Sequence, residues 1–161
     1  MKTVRCRGVH GADEEVSVEE LSFRPSVYGV IIKDGHVLLS CQHDGYDFPG
    51  GGMDLGESFE QTLEREVKEE TGLKVKKDKL LHVQNDFFTH PGNKKHFQSI
   101  LLYFSCKDIE GDVSIQGIEE QEKGFVQGAR WIPLADIHSI KFYNPVDSIA
   151  IITRATEGAG I

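Results

Sequence analysis

Long apolar runs, paired cysteines and positive charge are all in short supply in this chain, and each shortage excludes something. No run approaches the roughly 18 apolar residues needed to span a bilayer. The 3 cysteines, Cys6, Cys41 and Cys106, are odd in number and lack CxxC spacing, so neither a disulfide framework nor a zinc site is expected. A reducing, cytoplasmic setting is the simplest one. Cys41 and Cys106 fall inside apolar, strand-like runs and read as buried small hydrophobes. Against 26 Asp and Glu stand 18 Lys and Arg, a net charge of −8. That deficit argues against a surface built to grip long nucleic acid or an anionic membrane. Residues 1–10 alternate basic and small side chains and do not read as a signal peptide.

What is present suits one α/β domain: 161 residues, 39% of them hydrophobic, with no repeat, low-complexity tract or Pro/Ser-rich linker. Residues 1–23 are polar and acidic and read as an N-terminal extension or an edge strand. From Val27 an apolar run meets the turn signal Asp34-Gly35, and a second run returns from His36, the pattern of a β-hairpin. A glycine-rich loop, 50–56, leads to a helix with Ser58 as N-cap, Gln61 completing a capping box and Gly72 as the stop. Further strands are expected at 80–83, 97–106 and 130–133, with a polar loop at 89–95. Asn144-Pro145 reads as the start of a second helix running to about Ala155, with Val146, Ile149, Ala150 and Ile152 as its buried face.

The first helix breaks its own pattern. Phe59, Leu63, Glu66, Glu70 and Leu73 share one stripe at helical spacing, the arrangement of a core-facing surface. Two of those five places hold glutamates, and Glu69 flanks them. A solvated acidic face would account for Glu60 and Glu64, the latter within reach of Lys68, but not for glutamates in line with Phe59 and Leu63. Inward carboxylates are unfavourable unless paired or bound to metal. Three at i, i+3 and i+4 can converge their oxygens on a hard cation such as Mg²⁺ or Mn²⁺.

The helix follows Phe48-Pro-Gly-Gly-Gly. Gly51, five residues, Glu57, seven residues, then Arg65-Glu-Val-Lys-Glu-Glu-Thr-Gly-Leu73 resembles the Nudix box without a departure. At average residue usage, a chance match at any one start is on the order of one in a billion. The resemblance to MutT-like members of the Nudix hydrolase superfamily implies an α/β/α sandwich around a mixed sheet, with residues 51–73 as a loop–helix–loop. It also implies hydrolysis of a diphosphate linkage in a nucleoside diphosphate joined to another moiety, with Mg²⁺ or Mn²⁺ as cofactor. By position in the box, Glu66, Glu69 and Glu70 match metal-binding and catalytic glutamates, and the Gly50 carbonyl matches a backbone ligand. Glu66 can alternatively orient or deprotonate the attacking water. Arg65 and Glu57 look like structural support.

Outside the box, relatives use a glutamate in the loop before the tryptophan strand. Glu119, Glu120 and Glu122 are the candidates here, with Glu122 preferred, though a solvated loop would show the same residues. Arg24 reads as a phosphate contact or a surface ion pair. The basic residue expected before the box is replaced by Cys41-Gln42-His43, which leaves His43. Lys94 and Lys95 flank a loop that could hold phosphate, while Phe87 and Phe88 read as core.

The resemblance points first to a nucleoside triphosphate substrate. ADP-ribose, another nucleotide sugar, or a non-catalytic nucleotide-sensing role are the alternatives, and an isoprenoid diphosphate isomerase would need Cys41. A small-molecule nucleotide partner and a homodimer are the implied associations, with no membrane and no long nucleic acid. The charge is unevenly placed: residues 51–70 carry a net −5, residues 110–122 another −5, and the remainder +2.

Overall fold

Period-two burial decides which layer each strand serves. The computed structural model describes residues 1–113 and 128–158. Strands β1 (Thr3–Gly8), β2 (Glu14–Ser17) and β3 (Leu21–Phe23) precede β4 (Ser26–Lys33), β5 (His36–Gln42), β6 (Gly45–Asp47) and β7 (Gly50–Gly52). Helix α1 (Phe59–Thr71) follows, then β8 (Lys74–Thr89), β9 (His96–Glu110), β10 (Ala129–Pro133) and helix α2 (Ser148–Gly158). The sheet runs β10-β5-β4-β9-β8-β1-β2, with β3 on β9, β6 on β5 and β7 on β4. It is mixed: β4 lies parallel to β9, whereas β8–β9 and β4–β5 are antiparallel.

Alternate residues of the central strands feed two cores. Val27, Ile31, Leu38, Leu102 and Phe104 pack with Leu63 and Val67 of α1 on one face. Val30, Val37, Leu39, Leu101 and Tyr103 pack with Ile151, Ile152 and Ala155 of α2 on the other. The result is the α/β/α sandwich, because a sheet with two apolar faces needs a helix on each.

Local signals act as the sequence dictates at several joints. Asp34 and Gly35 both adopt positive φ, 49° and 74°, the conformation a two-residue hairpin turn needs. Ser58 accepts from the Gln61 N–H while Gln61 Oε1 accepts from the Ser58 N–H, so both helix-start donors are satisfied. Gly72 closes α1 at φ 80°.

Elsewhere tertiary pairing overrides the local reading. The strands expected at 80–83 and 97–106 are parts of the 16-residue β8 and the 15-residue β9, which pair almost throughout, with register shifts between Lys74 and His82. Such irregularities bend and twist a long ribbon, letting polar residues continue a strand that alternation alone would end. Gly50–Gly52, read as loop, is a short strand against β4. The second helix starts at Ser148, not at Pro145, because Asp147 supplies the cap by accepting from the Ala150 N–H. Its buried face is Ser148, Ile151, Ile152 and Ala155, with Val146 and Ile149 only partly covered. Residues 3–17 form a hairpin whose first strand adds to β8 in parallel, aligning Arg7 with Phe88. Among the described residues, no helix is long and apolar enough to cross a membrane.

Candidate active site

Helix α1 presents two adjacent rows at four-residue spacing. Leu63, Val67 and Thr71 are fully buried against the sheet. Thr62, Glu66 and Glu70 form the neighbouring row. Of the expected stripe, Leu63 and Leu73 are buried as read, whereas Phe59 is 42% exposed and only leans on Phe104. Glu64 pairs with Lys76 at 2.8 Å rather than with Lys68, because β8 brings that lysine alongside.

Arg65 organises the box. Its Nε donates to Glu57 Oε1 at 2.6 Å and its Nη2 to Glu57 Oε2 at 2.9 Å, a bidentate pair. The same guanidinium reaches the Gly52 carbonyl at 3.2 Å, Glu66 Oε1 at 2.8 Å and Glu69 Oε2 at 3.5 Å. Arg65 hydrogen bonds, helped by the Asp54 N–H and Thr62 hydroxyl, pull the Glu57 carboxyl down to about 2. A Cβ at Gly51 would lie 2.8 Å from the Glu66 carboxyl carbon, and one at Gly52 would overlap the Arg24 guanidinium. Both positions need glycine for room, not for backbone conformation.

Glu70 is in the opposite state. Burial pushes its carboxyl well above the usual carboxylate range, and the charges of Glu66 and Asp47 add to that. The Ser40 hydroxyl, donating to Oε2 at 2.7 Å, and the Gly50 N–H at 3.3 Å pull the other way. Asp47 is likewise pushed up to about 7 by burial, against the Phe48 N–H, Asn144 and Arg7.

These groups line a cavity of about 560 Å³. Gly50, Gly51, Gly52, Glu66 and Glu70 form one side, with Arg24 beside them; Arg7, Asp47, Phe88, His90 and Asn144 also line it. Arg24 sits against Gly52 and lies 5.7 Å from the Phe97 ring centre. Three other expected substrate residues lie outside the lining. His43 is exposed on the β5–β6 turn, packed edge-on against His10, and Gln42 lines the cavity in its place. Lys94 and Lys95 are exposed and outside the lining, to which their loop contributes Pro91, Gly92 and Asn93. Phe88, read as core, is a cavity wall stacked on Phe97 at 5.4 Å. Glu119, Glu120 and Glu122 lie outside the described residues.

The three box glutamates do not converge on one point. Among the described residues, no group of three or more His, Cys, Asp or Glu side chains is arranged to hold a metal ion. Arg65 draws Glu66 and Glu69 to itself, while Ser40 and the Gly50 N–H hold Glu70. The chemistry of the set still fits a hard divalent cation: every donor is oxygen, and Glu70 is desolvated beside the repelling charge of Glu66.

Arg7, Asp47 and Asn144 escaped the sequence reading. Asp47 carried a faint signal, a charge directly before Phe48 where an apolar strand meets the glycine run. Arg7 carried none, since its partner Asp86 is 79 residues away.

The NUDIX domain model matches residues 22–151. The chain belongs to the NUDIX domain family and is a Nudix hydrolase. The RNA pyrophosphohydrolase of Pseudoalteromonas atlantica is 30% identical over 141 residues, 77% of this chain and 80% of that protein. A Bacillus subtilis protein, provisionally named an ADP-ribose pyrophosphatase, is 29% identical over 115 residues; the match spans 70% of this chain and about half, 54%, of that relative. A MutT protein from Methanosarcina mazei Go1 superposes with a TM-score of 0.61 at 22% identity, over 90% of this chain and 100% of that one, a likeness of fold.

Proposed function

We propose that this chain is a divalent-metal-dependent pyrophosphohydrolase of nucleoside triphosphates. The observation that carries the reading is one cavity lined on one side by Glu66, Glu70, the box glycines and Arg24, and elsewhere by Phe88 and hydrogen-bonding side chains. A polyphosphate fits the first part and an aromatic base the second.

Glu66, Glu69 and Glu70, with the Gly50 carbonyl, would hold Mg²⁺ or Mn²⁺, in competition with Arg65. When bound, the cation neutralises charge on the phosphoryl oxygens and lowers the pKa of water. The protein supplies position and electrostatics, the main source of catalysis in phosphoryl transfer. Gly50–Gly52 bare the backbone so that phosphate can approach, and the Arg24 guanidinium adds positive charge at that wall. A carboxylate of α1 accepts the proton of the attacking water as the P–O–P bond breaks.

The test is purified protein with Mg²⁺ or Mn²⁺ against nucleoside triphosphates, ADP-ribose, dinucleoside polyphosphates and isopentenyl diphosphate, with products identified by chromatography. Release of nucleoside monophosphate and pyrophosphate is expected. Tight nucleotide binding without hydrolysis of any of them would sink the enzyme reading in favour of a sensor. Preference for ADP-ribose would move the substrate to the nucleotide sugars. A small acidic protein that takes anionic substrates as metal complexes matches the clustered negative charge.

A further inference from the structure

The N-terminal hairpin lies outside the residues matched by the family model, yet it forms part of the cavity wall. Strand β1 adds to the edge of β8 and so carries Arg7, Val9 and His10 to the lining. Arg7 is held there by its Nη2, which donates to Asp86 Oδ2 at 2.9 Å; Asp86 is only 9% exposed. That leaves Arg7 Nε buried without a hydrogen-bond partner among the described residues. Two more lining residues each carry one such atom: Asp47 Oδ1 and Asn144 Oδ1 are buried and unpartnered there, although the Asp47 carboxyl as a whole is hydrogen-bonded by the Phe48 N–H and Asn144. The Asn144 amide N–H donates to the Tyr103 hydroxyl at 3.3 Å, and Asn144 also hydrogen-bonds the Asp47 carboxyl.

Buried polar groups are nearly always satisfied, so three unsatisfied ones lining one cavity call for a ligand that supplies their partners. The protein offers one N–H donor and two oxygen acceptors. The complement is a ring edge with one acceptor and at least two N–H donors, which an exocyclic amino group beside a ring acceptor provides. Phe88, stacked on Phe97, offers an aromatic surface in the same cavity against which such a ring can lie.

We propose that the N-terminal hairpin completes the substrate pocket, and that Arg7, working beside Asp47 and Asn144, is a specificity-determining residue for nucleotides whose base bears an exocyclic amino group. This rests on the nucleotide reading of the cavity. A site that hydrogen-bonds a polar group rejects the analogue lacking it, because its own buried groups then go unpaired.

The test is equilibrium binding by calorimetry of nucleoside monophosphates to the full chain in EDTA, which needs neither metal nor turnover. The wild type is expected to bind GMP at least about tenfold more tightly than IMP, and CMP more tightly than UMP. Arg7→Lys retains the charge facing Asp86 but loses the planar Nε–H. It is expected to weaken GMP binding by about tenfold while changing the affinity for ribose 5-phosphate less than about twofold. The double variant Arg7→Gln/Asp86→Asn replaces the ion pair by a neutral pair and should show the same selective loss, with its fold checked by thermal melting. Unchanged GMP binding in both variants, equal loss for ribose 5-phosphate, or no amino preference in the wild type would each overturn the proposal. Failure of the hydrolase reading looks different: the amino preference persists, and no nucleoside triphosphate is cleaved.

Discussion

Glu57 and Glu70 stand at the two ends of one loop–helix segment, and the fold puts them in opposite electrostatic states. Glu57 has a bidentate guanidinium, a backbone N–H and a hydroxyl, and its carboxyl falls to about 2. Glu70 has one hydroxyl and one long backbone contact, faces two further carboxylates and is pushed upward. The same side chain is thus a satisfied strut in one place and a strained group in the other. Strain that internal partners do not relieve is what a binding site keeps in reserve for a ligand.

The largest test of this contrast is Glu70→Gln. Turnover with Mg²⁺ should fall by about 10²–10³-fold, while the metal-free melting temperature stays level or rises, because carboxylate repulsion is relieved. Near-normal turnover would remove Glu70 from the proposed metal set. EDTA should abolish wild-type activity, and added Mg²⁺ or Mn²⁺ should restore it.

Arg65→Ala acts on the other end. It strands Glu57 and removes the link to Glu66, so stability should drop by about 2 kcal/mol in urea unfolding. A loss of activity without a loss of stability would mean that Arg65 serves the substrate and not the scaffold.

The pH dependence carries opposite signs for the two groups. Glu57, depressed from 4.5 to about 2, contributes stability that is present above 4.5 and lost as pH falls through about 2. Glu70 and Asp47 are raised, Asp47 from 3.8 to about 7. Their contribution is complete below their unfolded values and lost as pH rises through their folded ones. Metal-free protein should therefore lose stability between about pH 4 and 7, and Glu70→Gln should flatten that slope. An identical slope in the two proteins would contradict the assigned state of Glu70. The smallest effect belongs to Ser58→Ala, expected to remove about 1 kcal/mol of stability through the lost cap, with kcat unchanged.

Much of this was legible along the chain, because the signals are local. Ser58, Gln61 and Gly72 specify their own cap geometry within three or four residues, and Asp34-Gly35 does the same for its turn. The glutamates of α1 announced themselves by breaking an apolar stripe. The unread part depends on residues far apart in sequence. His43 and Lys95 carry suitable chemistry but lie beside the cavity lining, to which their neighbours Gln42 and Asn93 belong. Arg7 and Asn144 look unremarkable until β1 and the segment before α2 meet over β6.

By itself, the sequence determined the box with its caps, since capping is set by neighbours three or four residues away, and the box carried the resemblance that implied the family and its α/β/α layering. Only the tertiary structure decided which end of α1 is satisfied and which is strained, because that depends on whether Arg65 or the buried face of β5 lies opposite the carboxylate. It also decided that the polar N-terminal residues wall the cavity, since edge pairing with β8 is fixed by backbone hydrogen bonds that leave no mark in the side-chain pattern.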